Sequence, residues 1–237
     1  QALATSLATL RPTSLHLWNR RERPELHELP EAVECLTGAW PEEILQQADL
    51  VLLTVRDDAL EEVAAEVAPL LRPDTVLAHC SGVTPLTPLL HSGHPQAFCG
   101  IAHPLQAIAT GTRKPRLFEE VWVGVEGGNV PLSLLSPMVE LLGGHVFSLE
   151  GVDRALYHAA AVVSANYLVT LAALSEQIAR QAGVAEPALA PFLPLMQTAL
   201  SQLQQKSPSK ALTGPIARGD KEVVAKHWHA LESFDPS

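Results

Sequence analysis

The chain has 237 residues, 47% of them hydrophobic and 18% charged, which is enough for one large domain or, more naturally, two. A formal net charge of −10 disfavours a nucleic-acid partner, which requires a basic face. No apolar run reaches the roughly 18 residues that suggest a membrane span, and no basic segment followed by an apolar one opens the chain. A soluble, cytoplasmic protein is therefore expected, with no membrane partner. Cys35, Cys80 and Cys99 have no metal-type spacing and read as buried thiols of a reducing compartment rather than disulfides or ligands.

The first half alternates strand-like and helix-like segments. ALATSLATL (2–10) reads as a helix and SLHLW (14–18) as a short strand ending in Asn19-Arg20-Arg21. DLVLLTV (49–55) is a run of β-branched and leucine residues, as in a strand buried on both faces. DDALEEVAAEVAPLL (57–71) follows as an amphipathic helix with acids in its first turn, where the helix dipole favours them. TVLAHCSG (75–82), QAFCGIAHP (96–104) and VWVGVEG (121–127) read as further strands, and 131–144 and 145–149 as a last helix and strand. This alternation predicts a doubly wound parallel sheet over residues 1–150.

Residues 151–237 read as all-helical. A long apolar helix is expected from Asp153 to Gly183, a second over roughly 187–206 broken or kinked by Pro191 and Pro194, and a third from Asp220. A Rossmann-type sheet should open with a strand and a Gly-rich turn leading into its first helix. Here Gln1 already stands at the start of that helix, so the strand-and-glycine element is expected to be missing from this sequence.

Several positions carry candidate chemistry. At the end of the second expected strand of such a fold an acid bonds the adenosine ribose and an arginine accommodates a 2′-phosphate. Asn19, Arg20 and Arg21 therefore point to NADP rather than NAD, against the alternative of a solvated basic turn. Val55, Arg56, Asp57, Ser81 and Gly82 lie at C-terminal strand ends, where ligands of open α/β sheets bind. His79 reads as a satisfied core histidine. His103, presented by Pro104 in HPLQ (103–106), can act as general acid or base near neutral pH, with Gln106 close by for substrate. On the long helix, His158 and Asn166 are eight residues apart and share a face with Val162 between them. Tyr157, His158, Ser164 and Asn166 on an apolar helix need partners, supplied either by a pocket or by neighbouring helices. No metal site is expected.

LYHAAAVVSANYLVTL, HPLQ, ALTGPIARGD and DLVLLTVRDD together resemble an uncharacterised family, domain-of-unknown-function family 2520, from the first helix to about residue 231. Its members join an NADP-binding Rossmann domain to a helical domain of the 6-phosphogluconate dehydrogenase C-terminal-like type. The family is similar in architecture to ketopantoate reductase, pyrroline-5-carboxylate reductase, prephenate dehydrogenase and the deazaflavin-dependent NADP reductases. The resemblance implies NADP, a cleft between the domains and a homodimer formed through the helical part. It implies that His103 faces the nicotinamide and the substrate, and that His158 and Asn166 stand where related reductases keep a Lys/Asn pair. It implies that TGPIARGD corresponds to a loop gripping a substrate hydroxyl or carboxylate. Arg56 stands where a proline is usual, and the glycine fingerprint is absent.

Within that loop, Gly214-Pro215 would shape the turn, Thr213 offer a hydroxyl, and Arg218 a planar fork for a carboxylate or phosphate. Asp220 would cap the last helix and orient Arg218. The expected function is an NADP-dependent oxidoreductase acting on a small anionic carbonyl or hydroxy compound, with His103 or His158 exchanging the proton. The alternative is a non-catalytic dimer that senses NADP or meets a partner, since fold does not imply function.

Overall fold

The structure, a computed structural model, describes residues 1–22, 28–109, 112 and 114–234. Two compact units divide the chain, Gln1–Ala161 and Val162–Ser237. The first unit opens with helix α1 (Ala2–Leu7) and strand β1 (His16–Asn19). It continues through β2 (Glu34–Thr37), α2 (Glu42–Leu45), β3 (Leu50–Leu53), α3 (Leu60–Val67) and β4 (Val76–His79). Next come α4 (Thr87–His91), β5 (Cys99–Pro104), β6 (Trp122–Gly127), α5 (Asn129–Leu141), β7 (His145–Ser148) and α6 (Arg154–Val162). Of these, β2, α2 and α4 were not expected from sequence.

The strands form a two-stranded parallel sheet, β1–β2, and a five-stranded sheet in the order β3–β4–β5–β6–β7. In the doubly wound order the first strand lies between these two groups; among the described residues no strand fills that position. β3, β4 and β5 run parallel, but β6 pairs antiparallel with β5, and β7 then runs parallel to β6. The expected doubly wound sheet is therefore parallel-dominated, with one antiparallel pairing, β5–β6. The cause is the connection: a parallel return needs a crossover, usually a helix, and residues 105–121 form no helix among those described.

Each face of the five-stranded sheet has its own apolar layer. Leu60, Val63, Ala64 and Val67 recur at helical spacing along α3 and pack with Leu53, Leu77, Leu89 and Cys99 on one side. On the other side α5 packs Leu135 and Val139 against Ala78, Ala102, Val123 and Val125. Close approach of α5 depends on Gly100, where an added Cβ would lie 2.8 Å from Pro131 Cβ and 3.0 Å from Leu135 Cδ1. β4 is buried along its whole length, which explains its unbroken apolar reading.

The second unit contains α7 (Leu168–Gln181), α8 (Leu193–Leu203), α9 (Pro208–Ala211), α10 (Gly214–Arg218) and α11 (Lys221–Leu231). A π-helical turn, Val163–Tyr167, precedes α7. The span Arg154–Gln181 is long and apolar enough, by length and composition alone, to cross a membrane, a property that counting unbroken apolar runs did not reveal. Pro191 and Pro194 do not break a helix; Pro194 sits in the first turn of α8, where its missing N–H has no helical partner to lose. ALTGPIARGD is also more ordered than a connecting loop: Gly214, with φ +80°, opens α10 and Gly219, with φ +69°, closes it.

Candidate active site on the sheet face

Strand register gathers the polar residues of the first unit on one face. His79 stands opposite Ile101, Ile101 opposite Glu126, His103 opposite Gly124, and Gly124 opposite Phe147. Paired residues and residues two apart share a face, so His79, His103, Glu126 and Phe147 all project to the same side. α6 delivers Arg154, Tyr157 and His158 to that side, positions that lie together at i, i+3 and i+4. The Tyr157 ring packs edge-on to Phe147 and to His103, at centroid separations of 6.0 and 5.5 Å.

His103 is the centre of this arrangement. Its Nδ1 is 2.7 Å from the Tyr157 hydroxyl. Its Nε2 points at Gly82, where an added Cβ would lie 2.7 Å from Nε2 and 3.0 Å from His158 Nδ1. Gly82 is therefore the floor over which two imidazoles meet, their ring centroids 6.3 Å apart. Burial, with smaller contributions from His158 and Arg154, pulls the His103 imidazole down to about 4, while the charge of Asp57 works the other way. Burial also raises the Tyr157 hydroxyl above its ordinary value. At neutral pH the pair is thus a neutral imidazole and an intact phenol. With the phenol donating to Nδ1, Nε2 carries the proton and can give it up. With Nδ1–H donating to the phenol, Nε2 is a free acceptor.

Arg154 completes the face. Its Nη2 donates to Glu126 Oε2 at 2.6 Å, with the arginine side chain 10% and the glutamate 25% exposed. His79 is the satisfied core histidine the sequence suggested: Nε2 is 3.0 Å from the Pro85 carbonyl, and Nδ1 accepts the Ser81 N–H at 3.2 Å. Ser81 serves the turn, its hydroxyl accepting the Thr84 N–H at 3.0 Å. Burial pushes the Cys80 and Cys99 thiols up to about 12 and about 11, so both stay protonated.

The remaining sequence candidates are distributed as follows. Asn19 ends β1 and bonds through its amide to the Arg21 carbonyl. Arg20 reaches Glu66 at 3.5 Å, and Glu66 also accepts from Trp40, whose ring stacks on Trp18. Val55 is exposed, and Arg56 is engaged by Asp58 through two bonds, at 3.1 and 2.6 Å. Gln106 is half-buried, and its amide donates to the neighbouring Ala107 carbonyl at 3.5 Å. In the second unit Thr213 is the N-terminal flanking residue of α10, without a side-chain cap, and Arg218 is exposed at its end. Asp220 caps α11 by accepting the Val223 N–H at 3.2 Å, as expected, but has no bond to Arg218. Asn166 lies within the π turn and is exposed, so the α-helical spacing that would align it with His158 is not kept. Arg154 and Glu126 were missed, and Tyr157 was noted only as a polar group needing a partner. For Arg154 the sequence signal was the i, i+3, i+4 face it shares with Tyr157 and His158 on α6, and Glu126 on β6 had none.

Similarity to solved structures establishes the fold. No curated protein matches the sequence. Among solved structures, a candidate NADP oxidoreductase from Bacteroides fragilis superimposes with a TM-score of 0.76 at 22% identity, covering 97% of this chain and 86% of that one. A Thermotoga maritima protein gives 0.72 at 24% identity, covering 99% and 88%. Plasmodium falciparum pyrroline carboxylate reductase, solved with NADP bound, gives 0.66 at 11% identity, covering 98% and 88%. The chain therefore has a Rossmann-type fold, with a mixed, mostly parallel sheet and a helical C-terminal region. Residues 121–237 match the family model described as Domain of unknown function (DUF2520).

Proposed function

We propose that the protein is a nicotinamide-dependent oxidoreductase with a preference for NADP, acting on a small carbonyl or hydroxy compound at the His103 face. One observation carries the reading: a neutral imidazole, held by a phenol on one nitrogen, presents its other nitrogen over a side-chain-free floor at the C-terminal ends of β4 and β5. Ligands of open α/β sheets bind at those strand ends. His103 Nε2 then gives a proton to the oxygen of a reduced carbonyl or takes one from a hydroxyl being oxidised, and Tyr157 fixes the ring orientation in either direction. A bound nicotinamide would supply or accept the hydride.

The described residues fit such a cofactor in part. The phosphate-binding glycine turn is not among them; Asn19 ends β1 with Arg20 and Arg21 after it, and in such a fold residues at that strand end would meet the adenosine ribose. Arg21 has no side-chain partner among the described residues. Arg20 would have to exchange Glu66 for a 2′-phosphate, and an exposed pair of this kind contributes only about 0–1 kcal/mol. The test is NADPH oxidation by the purified protein against a panel of 2-oxo acids, aldehydes and ketones, with His103→Asn as the decisive variant.

A homodimer formed through the second unit belongs to the same proposal. Among the described residues of that unit only Ala179 and Ala188 are buried apolar side chains, whereas Leu171, Leu195 and Trp228 are 58%, 67% and 71% exposed. So much exposed apolar surface calls for cover. Sedimentation at micromolar concentration is expected to give a dimer that Leu171→Glu dissociates; a wild-type monomer would contradict it.

A further inference from the structure

We propose that Arg154 is the anchor for a substrate carboxylate, so that the compound turned over at His103 is a monocarboxylic 2-oxo or 2-hydroxy acid. The inference rests on the oxidoreductase reading for its chemistry but not for its binding site. Arg154 Nη1 and His158 Nδ1 are buried atoms with no hydrogen-bond partner among the described residues. They stand one turn apart on α6, on the face that carries Tyr157 to His103. A buried donor left without an acceptor costs about 1–3 kcal/mol, and more for a charged group, so such a donor is the natural place for a ligand oxygen. The arginine side chain is nine-tenths buried, and Glu126 holds only its Nη2 edge. A guanidinium is a planar fork with a second edge to offer. Its charge is felt at His103, His79 and Tyr157.

Glu126 decides which anion fits. It already neutralises the guanidinium, so the site offers one oriented N–H edge rather than a free positive charge. A single carboxylate can take that edge with one oxygen. A phosphate or a second carboxylate would bring a further negative charge against Glu126. A carboxylate held by Nη1 and by His158 in its Nδ1–H tautomer would lie on the side of α6 that carries Tyr157 to His103. This assigns to Arg154 the task that sequence reasoning gave to Arg218.

The experiment uses the protein without cofactor and three probes: pyruvate, its uncharged amide, and inorganic phosphate. Binding is followed through the Cε1 proton signals of His158 and His103. Pyruvate is expected to bind with saturable movement of both signals, at least tenfold more tightly than the amide or phosphate. Arg154→Lys, which keeps a cation for Glu126 but lacks the second edge, is expected to lose that tenfold preference. The wild-type comparison of pyruvate with its amide stands even if the variant fails to fold. Equal binding of pyruvate and amide, no pyruvate binding at millimolar concentration, or loss of binding in Arg218→Ala but not Arg154→Lys would each overturn the assignment. Pyruvate binding through Arg154 in a protein that takes up neither NADPH nor NADH would support the anchor and remove only the redox reading.

Discussion

Replacing His103 by asparagine is expected to lower turnover by about 10²–10⁴-fold, the usual contribution of a positioned proton donor or acceptor, while cofactor binding and the fold persist. The reason is local. Asparagine can still meet the Tyr157 hydroxyl that His103 meets at 2.7 Å, but it cannot exchange a proton near neutral pH. The same variant carries a pH signature. The folded-state imidazole is pulled from 6.5 down to about 4, so between those values the unfolded chain binds a proton that the folded chain does not. Stability contributed by the neutral imidazole is present above pH 6.5 and is lost as pH falls toward 4. Thermal melts of His103→Asn should therefore fall less steeply across that window than wild-type melts. An unchanged rate, or melts of the same slope, would remove His103 from the site.

The second large effect is structural. Leu135→Ala should destabilise the first unit by about 3–4 kcal/mol, within the range for large-to-small changes in a core and a large share of a typical 5–15 kcal/mol total. Leu135 is fully buried in the layer between α5 and the sheet, with Val123, Val125 and Val139 in the same cluster. Its Cδ1 packs directly over Gly100, which has no side chain to move into the space left behind. A urea midpoint shift equivalent to less than 1 kcal/mol would mean that α5 collapses onto β5 and that the close fit at Gly100 is not what holds them. The site would feel such a collapse, because His103 lies on the same strand as Gly100.

The elements that sequence revealed are those whose physics is local. The run in β3 and β4 is apolar because those strands are covered on both sides. The acid-led segment before α3 marks a helix start, and Asp220 was recognisable as a cap because an acid there takes the Val223 N–H. His103 was singled out by the histidine-proline pair at a strand end, and the structure brings its ring to the Tyr157 hydroxyl. What stayed hidden depends on contacts distant in sequence. Arg154 finds Glu126 twenty-eight positions away across α6 and β6. Tyr157 was visible as a polar group on an apolar helix, but nothing in the spacing names His103 as its partner. The supposed alignment of His158 with Asn166 assumed 3.6 residues per turn throughout, and the π turn at Val163–Tyr167 breaks that assumption. The antiparallel entry of β6 could have been foreseen, since no helix-forming pattern separates it from β5.

The most direct test is a titration with NADPH and, separately, NADH, followed both by cofactor fluorescence and by the Cε1 proton signal of His103. NADPH is expected to bind at least tenfold more tightly than NADH, a difference of about 1.4 kcal/mol, and to move the His103 signal in step with saturation. Failure of both cofactors to bind, or NADPH binding that leaves His103 unmoved, would contradict a nicotinamide-linked site on this face of the sheet.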